Sequence, residues 1–321
     1  MIAGYISANR IDLARVNKTS KSITLEKEVR LVTRDYSTLE SALSQYFKQN
    51  KIDDASAICL GVAGPVIGDS VRPTNLDWRV SASALKDTFK LERVVLVNDV
   101  VATAHGIVHL DEDKFIEMNR GTAVPDRNIG MIAPGSGLGQ SIIYVNGGGS
   151  KPYASEGGHA YFGPGNQLEL ELWEYVYADQ GYVEAEDIIS WVGFERIYNF
   201  LTETQGHQRA DWFDAAEYKA STIIEKALAG EDATSIRTLD IFIDCLACQS
   251  ADLALTGMTL GGMYVGGQIA PRIITALEKG RFMERFIKKG KMEKLLSNIP
   301  VRLVIEDRAA LIGAAAIVRD L

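Results

Sequence analysis

The sequence predicts an α/β protein of roughly two domains. Short apolar runs alternate with amphipathic helical stretches over the first hundred residues, glycine-rich turns close several of those runs, and 321 residues are enough for two sizeable cores at about 150 residues each. With 46% hydrophobic residues, 24% charged residues and only 8 prolines, the chain is neither disordered nor collagen-like.

Residues 2–7 and 11–16 alternate apolar and polar positions and read as strands, with a third over 23–31, an antiparallel meander. Leu39, Leu43, Tyr46 and Phe47 recur at helical spacing. Residues 57–62 form an apolar run ended by Gly64-Pro65. Ser81 can cap a helix carrying Ala82, Leu85 and Phe89, and 94–97 is a continuous apolar strand, so the sheet turns parallel here. From Asn128 a strand, the turn Pro134-Gly135-Ser136-Gly137-Leu138-Gly139 and a strand over 141–145 echo the opening pair, as a duplication would. Helices are expected over 168–177, 185–189, 194–201, 215–228 and 239–253, an insertion between two sheet-bearing parts. The tail offers a strand over 301–305 and a helix over 309–318, expected to return to the first domain. The expected division is 1–108 with 300–321 as a small α/β domain and 109–299 as a large domain with the helical insertion.

Charge and cysteine usage narrow the function classes. Lys+Arg 34 against Asp+Glu 42 gives −8, which repels nucleic acid and anionic membrane, so neither is expected as a partner. Cys59, Cys245 and Cys248 give no disulfide framework, and MIAGYISANRID lacks the basic start and apolar core of a secretory signal, so the cytoplasm is the expected location. Residues 253–271 are uncharged, but five glycines with Thr256, Thr259, Gln268 and Pro271 read as a soluble turn rather than a membrane span.

Several constellations could carry chemistry. Asn98-Asp99 follows a parallel strand, where open α/β sheets place ligands, and Asp99 could take a proton from a hydroxyl; the bland alternative is a helix cap. Gly135-Ser136-Gly137-Leu138-Gly139 offers backbone N–H groups to phosphate, without a Walker lysine or a dinucleotide fingerprint. Glu156-Gly157-Gly158-His159 can present a carboxylate and an imidazole to a polyol. Gly261-Gly262 and Gly266-Gly267 bracket a short strand that a base or ribose could approach, or that packs tightly. Cys245 and Cys248 read as packing thiols, His105 and His109 as surface or packing residues, and the charge run 279–294 as a solvated helix face.

In combination, Gly61-Val-Ala-Gly-Pro-Val, Thr74-Asn75 with Trp78, Val97-Asn-Asp, Gly135-Ser-Gly-Leu-Gly, Glu156-Gly-Gly-His, Gly261-Gly-Met-Tyr-Val-Gly-Gly and Pro271-Arg272 resemble the bacterial ATP-dependent glucokinases over nearly the whole chain. The resemblance implies the two-domain actin-like, ribonuclease H-like sugar-kinase fold, with an interdomain cleft that closes on glucose. It implies transfer of the ATP γ-phosphate to glucose with Asp99 as general base, and Asn75, Asn98, Glu156, His159 and Glu186 as sugar ligands. It places the nucleotide on Gly135, Ser136, Gly137, Leu138, Gly139, Gly262, Gly266 and Gly267, with ATP and Mg2+ as cofactors and a homodimer as the assembly. No zinc is expected, because the cysteine cluster of the related repressor and kinase family is absent.

Two stretches depart from the pattern. The family opens with Asp-x-Gly-Gly-Thr-Asn, a first phosphate loop whose Asp helps organise Mg2+; this chain has Tyr5-Ile6-Ser7-Ala8-Asn9-Arg10, in which Ser7 and Ala8 would strain a turn at positive φ. Arg10 and Asp12 are the candidate substitutes for phosphate and metal contacts. Trp191-Val192 stands where the family has Gly-Pro after the sugar-binding Glu. These departures raise an alternative, a catalytically impaired sugar-binding or regulatory protein, beside a kinase of another hexose.

Overall fold

The computed structural model describes the chain except residues 18–22, 74, 75 and 148. It forms two compact units, Met1–Glu112 with Glu306–Leu321, and Asp113–Ile305.

In the first unit, β1 (Ile2–Ile6), β2 (Arg10–Val16) and β3 (Leu25–Val32) form the expected antiparallel meander. A small antiparallel sheet, β5 (Val66–Ile67), β6 (Ser70–Val71) and β7 (Val80–Ser81), lies in the chain between β4 (Ala57–Val62) and β8 (Arg93–Asn98). The main sheet has the order β3-β2-β1-β4-β8, with β4 parallel to β1 and β8 parallel to β4. The period-2 alternation of β1 supplies two cores at once. Ile2 and Ile6 pack with Ile11, Leu13, Leu43 and Tyr46, whereas Ala3 and Tyr5 pack with Ala14, Ala57, Leu311 and Ala314. Thr38 and Ser81 cap the helices Leu39–Asn50 and Ala82–Phe89 by accepting from the amides of Ser41 and Ala84. Small residues bring the helices Asp99–Ile107 and Ala309–Arg319 into backbone contact: a Cβ on Gly106 would collide with the Ala309 carbonyl, and one on Gly313 with that of Ala102.

The second unit repeats this plan. Its strands are β9 (Phe115–Asn119), β10 (Ile129–Pro134), β11 (Leu138–Asn146), β12 (Gly149–Ser155), β13 (Gly262–Val265) and β14 (Val301–Val304), in the order β12-β11-β10-β13-β14-β9. Again an antiparallel meander leads into two parallel strands. The strand plan is thus repeated as a duplication would leave it. The inserted helices pack on Ala233–Gly257, where Phe194 stacks on Phe242 at 4.2 Å.

Three expectations need correction. The helix expected over 215–228 is two, Asp211–Ala215 and Lys219–Ala229, the first anchored by Phe213 stacking on Tyr198 at 4.2 Å. The run 279–294 is only in part a solvated face and not one helix: Lys279, Glu284, Lys288, Lys291, Glu293 and Lys294 are exposed, but Phe282 and Phe286 of the helix Arg281–Ile287 are buried, and Arg281, Arg285 and Lys289 pair with Asp244, Glu169 and Asp252. The strand β14 stays in the second unit's sheet because β13 pairs with it, so the chain rejoins the first unit at Glu306 rather than at 300. No helix of the described residues is long and apolar enough to cross a membrane.

Candidate functional site

The β1–β2 turn, where the first phosphate loop was expected, is held by side chains. Ser7 Oγ accepts from the Arg10 amide (3.2 Å), Ser7 N donates to the Arg10 carbonyl (2.9 Å), and Thr33 Oγ1 donates to the Ser7 carbonyl (2.9 Å). None of residues 7–9 adopts a positive φ, so the strain expected of Ser7 and Ala8 does not arise. Tyr5, where the resemblance led to the expectation of a metal-organising Asp, is a core residue with Arg10 5.2 Å above its ring. Asp12 is 3% exposed and accepts from Arg30 Nε (2.7 Å) and Nη2 (3.2 Å), with Arg10 Nε at 3.2 Å. Arg10 and Arg30 also bind Asp307. Burial works against the Asp307 carboxylate, but Arg30, Arg10 and Arg308 hold its pKa below the ordinary value. Both candidate substitutes are thus committed to one ionic network. The donor set of this turn, an aromatic ring and a carboxylate neutralised by two guanidinium groups, does not fit Mg2+.

At the carboxyl end of β8 the helix cap falls to Asn98, not Asp99. Asn98 Oδ1 accepts from the amides of Val100 (2.9 Å) and Val101 (3.3 Å), and its Nδ2 donates to the Gly64 carbonyl (3.2 Å). Asp99 takes the first helical position, half-buried, with Oδ1 3.0 Å from the Val100 amide. Gly61 lets the helix start this close to the sheet, since a Cβ there would come within 2.7 Å of the Ala102 methyl. Asn75 lies outside the described residues.

In the second unit the glycine-rich turn is tighter than expected. Leu138 and Gly139 belong to β11, opposite Pro134 and Ala133, which leaves Gly135, Ser136 and Gly137 as the turn, closed by Gly135 N donating to the Gly137 carbonyl (2.8 Å). Glu186, on the short helix Ala185–Ile188, accepts from the Leu138 amide (2.8 Å), and a Cβ on Gly137 would run into its carboxylate. The Trp191 amide donates to the Gly135 carbonyl (2.9 Å), and Arg272 lies 5.3 Å over the Trp191 ring. Trp191-Val192 opens the helix Trp191–Thr204 behind the Ser190 cap, a first turn in which a proline is also tolerated. Gly267, at φ +80°, sits where a Cβ would meet the Pro134 carbonyl, so Gly266 and Gly267 adjoin the turn. Gly262 does not: it pairs with Ile129 at the other end of β13, and its φ of +140° marks a backbone role.

The Glu156 segment forms a 3-10 turn, Gly157–His159, packed so closely on β11 that a Cβ on Gly158 would strike the Leu138 carbonyl. His159 Nδ1 lies 2.8 Å from Glu184 Oε2. The Glu184 hydrogen bond raises the His159 pKa, burial opposes it, and Glu186 and Glu156 add to the rise. The second unit therefore gathers Glu156, His159, Glu184 and Glu186 beside the glycine turn. Sequence reasoning missed Glu184; its signal was Glu184-x-x-Asp187, a reciprocal cap at the start of a short helix. Asp187 in turn binds Arg196 and Gln180, which fixes that helix.

The remaining candidates pack. Burial pushes the Cys59 thiol up to about 12 and Cys248 to about 11, far from thiolate chemistry. Burial also holds His105 and His109 below the ordinary histidine value.

The family model described as Glucokinase matches residues 2–321. A glucokinase of Saccharophagus degradans is 34% identical over 299 residues, covering 93% of this chain and 91% of that protein. Among solved structures, glucokinase from an Antarctic psychrotroph superposes with a TM-score of 0.84 at 29% identity, covering 100% of this chain and 98% of that one. Glucokinase from Balamuthia mandrillaris, in complex with glucose, has a TM-score of 0.82 at 20% identity over 99% and 93% of the two chains, a likeness of fold alone. The α/β fold is thus the actin-like sugar-kinase fold that the motifs implied.

Proposed function

The chain belongs to the glucokinase family, and from that premise we propose that it transfers the γ-phosphate of ATP to the 6-hydroxyl of glucose. The observation that carries this reading is the placement of Asp99 at the first helical position after β8, where Asn98 is the cap residue and both side chains accept from the Val100 amide. Asp99 accepts the proton of the 6-hydroxyl as that oxygen attacks the γ-phosphorus. The bond to the β,γ-bridging oxygen breaks, ADP leaves with the bonding pair, and glucose 6-phosphate forms. The proton on Asp99 then passes to solvent.

Sugar hydroxyls are assigned to Asn75, Asn98, Glu156, His159 and Glu186, and nucleotide phosphates to Gly135, Ser136, Gly137, Leu138 and Gly139, with Gly266 and Gly267 beside them. His159, biased toward its protonated form by Glu184, is a donor to a sugar oxygen. Mg2+ is assigned to the substrate complex Mg-ATP and to no residue of the β1–β2 turn. A homodimer in the cytoplasm belongs to the same reading, and three buried free thiols suit a reducing compartment.

The commitment of Asp12 and the burial of Tyr5 favour one second reading, a sugar-binding descendant that no longer transfers phosphate. A coupled assay of glucose 6-phosphate formation from Mg-ATP and glucose separates the two, run beside thermal unfolding over a hexose panel. Product supports the kinase. Glucose stabilisation without product, about 2.7 kcal/mol at a hundred times Kd, supports the descendant, and product from another hexose alone replaces glucose as the substrate.

A further inference from the structure

The turn Gly135-Ser136-Gly137 has little to stiffen it from within. Two of its three residues are glycines, which lose the most conformational freedom on ordering, and its one internal hydrogen bond runs from Gly135 N to the Gly137 carbonyl. One external segment grips it at both ends. The Trp191 amide holds the Gly135 carbonyl at 2.9 Å, and the Glu186 carboxylate holds the Leu138 amide at 2.8 Å. That segment is itself anchored: the Ala185 amide donates to the Ala160 carbonyl (2.9 Å), and Asp187 is fixed by Arg196 and Gln180. The absence of a Cβ at Gly137 is what admits the carboxylate.

We propose that Glu186 is a positioning residue for the nucleotide: it holds Leu138, and through it the glycine turn, in the form that receives phosphate, in addition to any sugar contact. The proposal rests on the reading of this turn as the phosphate site. A turn held in its binding form before the ligand arrives spares the ligand the cost of ordering it, and a hydrogen bond to a carboxylate is among the stronger ones available for that purpose. A carboxylate that served only the sugar would leave nucleotide binding unchanged when no sugar is present.

The test is the affinity of the full chain for Mg-AMPPNP, measured by calorimetry without sugar, in the unaltered protein and in Glu186→Ala, Glu186→Gln and Gly137→Ala. Glu186→Ala is expected to weaken binding about tenfold, and Glu186→Gln, which keeps an acceptor oxygen, to stay within about threefold of the unaltered protein. Gly137→Ala, which displaces the carboxylate without removing it, is expected to weaken binding as Glu186→Ala does. Because Gly137 is itself in the turn, it is read together with Glu186→Gln, which decides the question if Glu186→Ala fails to fold: a Glu186→Gln loss of about tenfold or more overturns the proposal. Unchanged affinity in Glu186→Ala and Gly137→Ala, or equal losses in Glu186→Ala and Glu186→Gln, overturns the proposal alone. No nucleotide binding by the unaltered protein overturns the kinase reading and this proposal with it.

Discussion

Arg30 grips Asp12 with two hydrogen bonds, Nε to Oδ1 at 2.7 Å and Nη2 to Oδ2 at 3.2 Å, and the carboxylate so held is almost wholly buried. A second guanidinium, Arg10, closes on the same carboxylate at 3.2 Å. The turn expected from the resemblance to hold phosphate and metal is therefore a neutralised structural joint in this chain. It is anchored below by Tyr5 in the core and above by Asp307.

Removing Arg30 leaves a buried carboxylate with one cation in place of two. Because Arg30 is itself half-exposed, the loss in Arg30→Ala falls between a surface and a buried pair, about 1–3 kcal/mol by urea unfolding. Asp12→Asn in the same background is expected to recover part of it. In an active enzyme Asp12→Asn leaves the Mg2+ dependence of turnover unaltered; a shifted dependence would return Asp12 to the metal.

Asn98→Ala removes a cap that serves two amides, at a cost of about 1 kcal/mol. The same change loosens the backbone that carries Asp99. Turnover should fall while sugar-free nucleotide affinity stays constant, a separation that steady-state kinetics and calorimetry read together.

His159 gives a pH dependence with a definite sign. Its folded-state pKa lies above the ordinary value of 6.5, chiefly through Glu184. The stabilisation from this pair is complete below the unfolded value and is lost as pH rises through the folded value. Thermal unfolding from about pH 5 to pH 8 should show that loss, and Glu184→Gln should flatten it. Proton NMR should find His159 titrating above 6.5 in the unaltered protein and nearer to 6.5 in the variant.

Gly106→Ala places a methyl against the Ala309 carbonyl, with no flexible side chain to yield. An overpacking cost of about 1–3 kcal/mol is expected in urea unfolding. Gly68→Ala serves as a control for the method, since its φ of +65° adds backbone strain with no steric neighbour.

The sequence made local patterns legible and long-range pairing less so. Period-2 alternation in 2–16 and the cap Ser81 are near-neighbour signals, and the structure follows them. Leu138 looked like loop because Gly137 and Gly139 flank it, yet its pairing with Pro134 makes it strand. Arg281, Arg285 and Lys289 looked solvated because their partners Asp244, Glu169 and Asp252 are distant in the chain. The commitment of Asp12 depends on Arg30, across β2–β3, and Glu184 escaped notice because a lone Glu before a short helix has many uses. The family resemblance pointed to Asn98, Asp99, Glu156, His159 and Glu186, but the hydrogen bonds of Asn98, Asp99, His159 and Glu186 were visible only in three dimensions.

The most direct test of the central claim compares glucose 6-phosphate formation by the unaltered protein and by Asp99→Asn under saturating Mg-ATP and glucose. The account predicts turnover in the unaltered protein and a loss of at least about 10²–10⁴-fold in the variant, with glucose binding retained. Equal rates in the two proteins, or no product from either while glucose still binds, would contradict it.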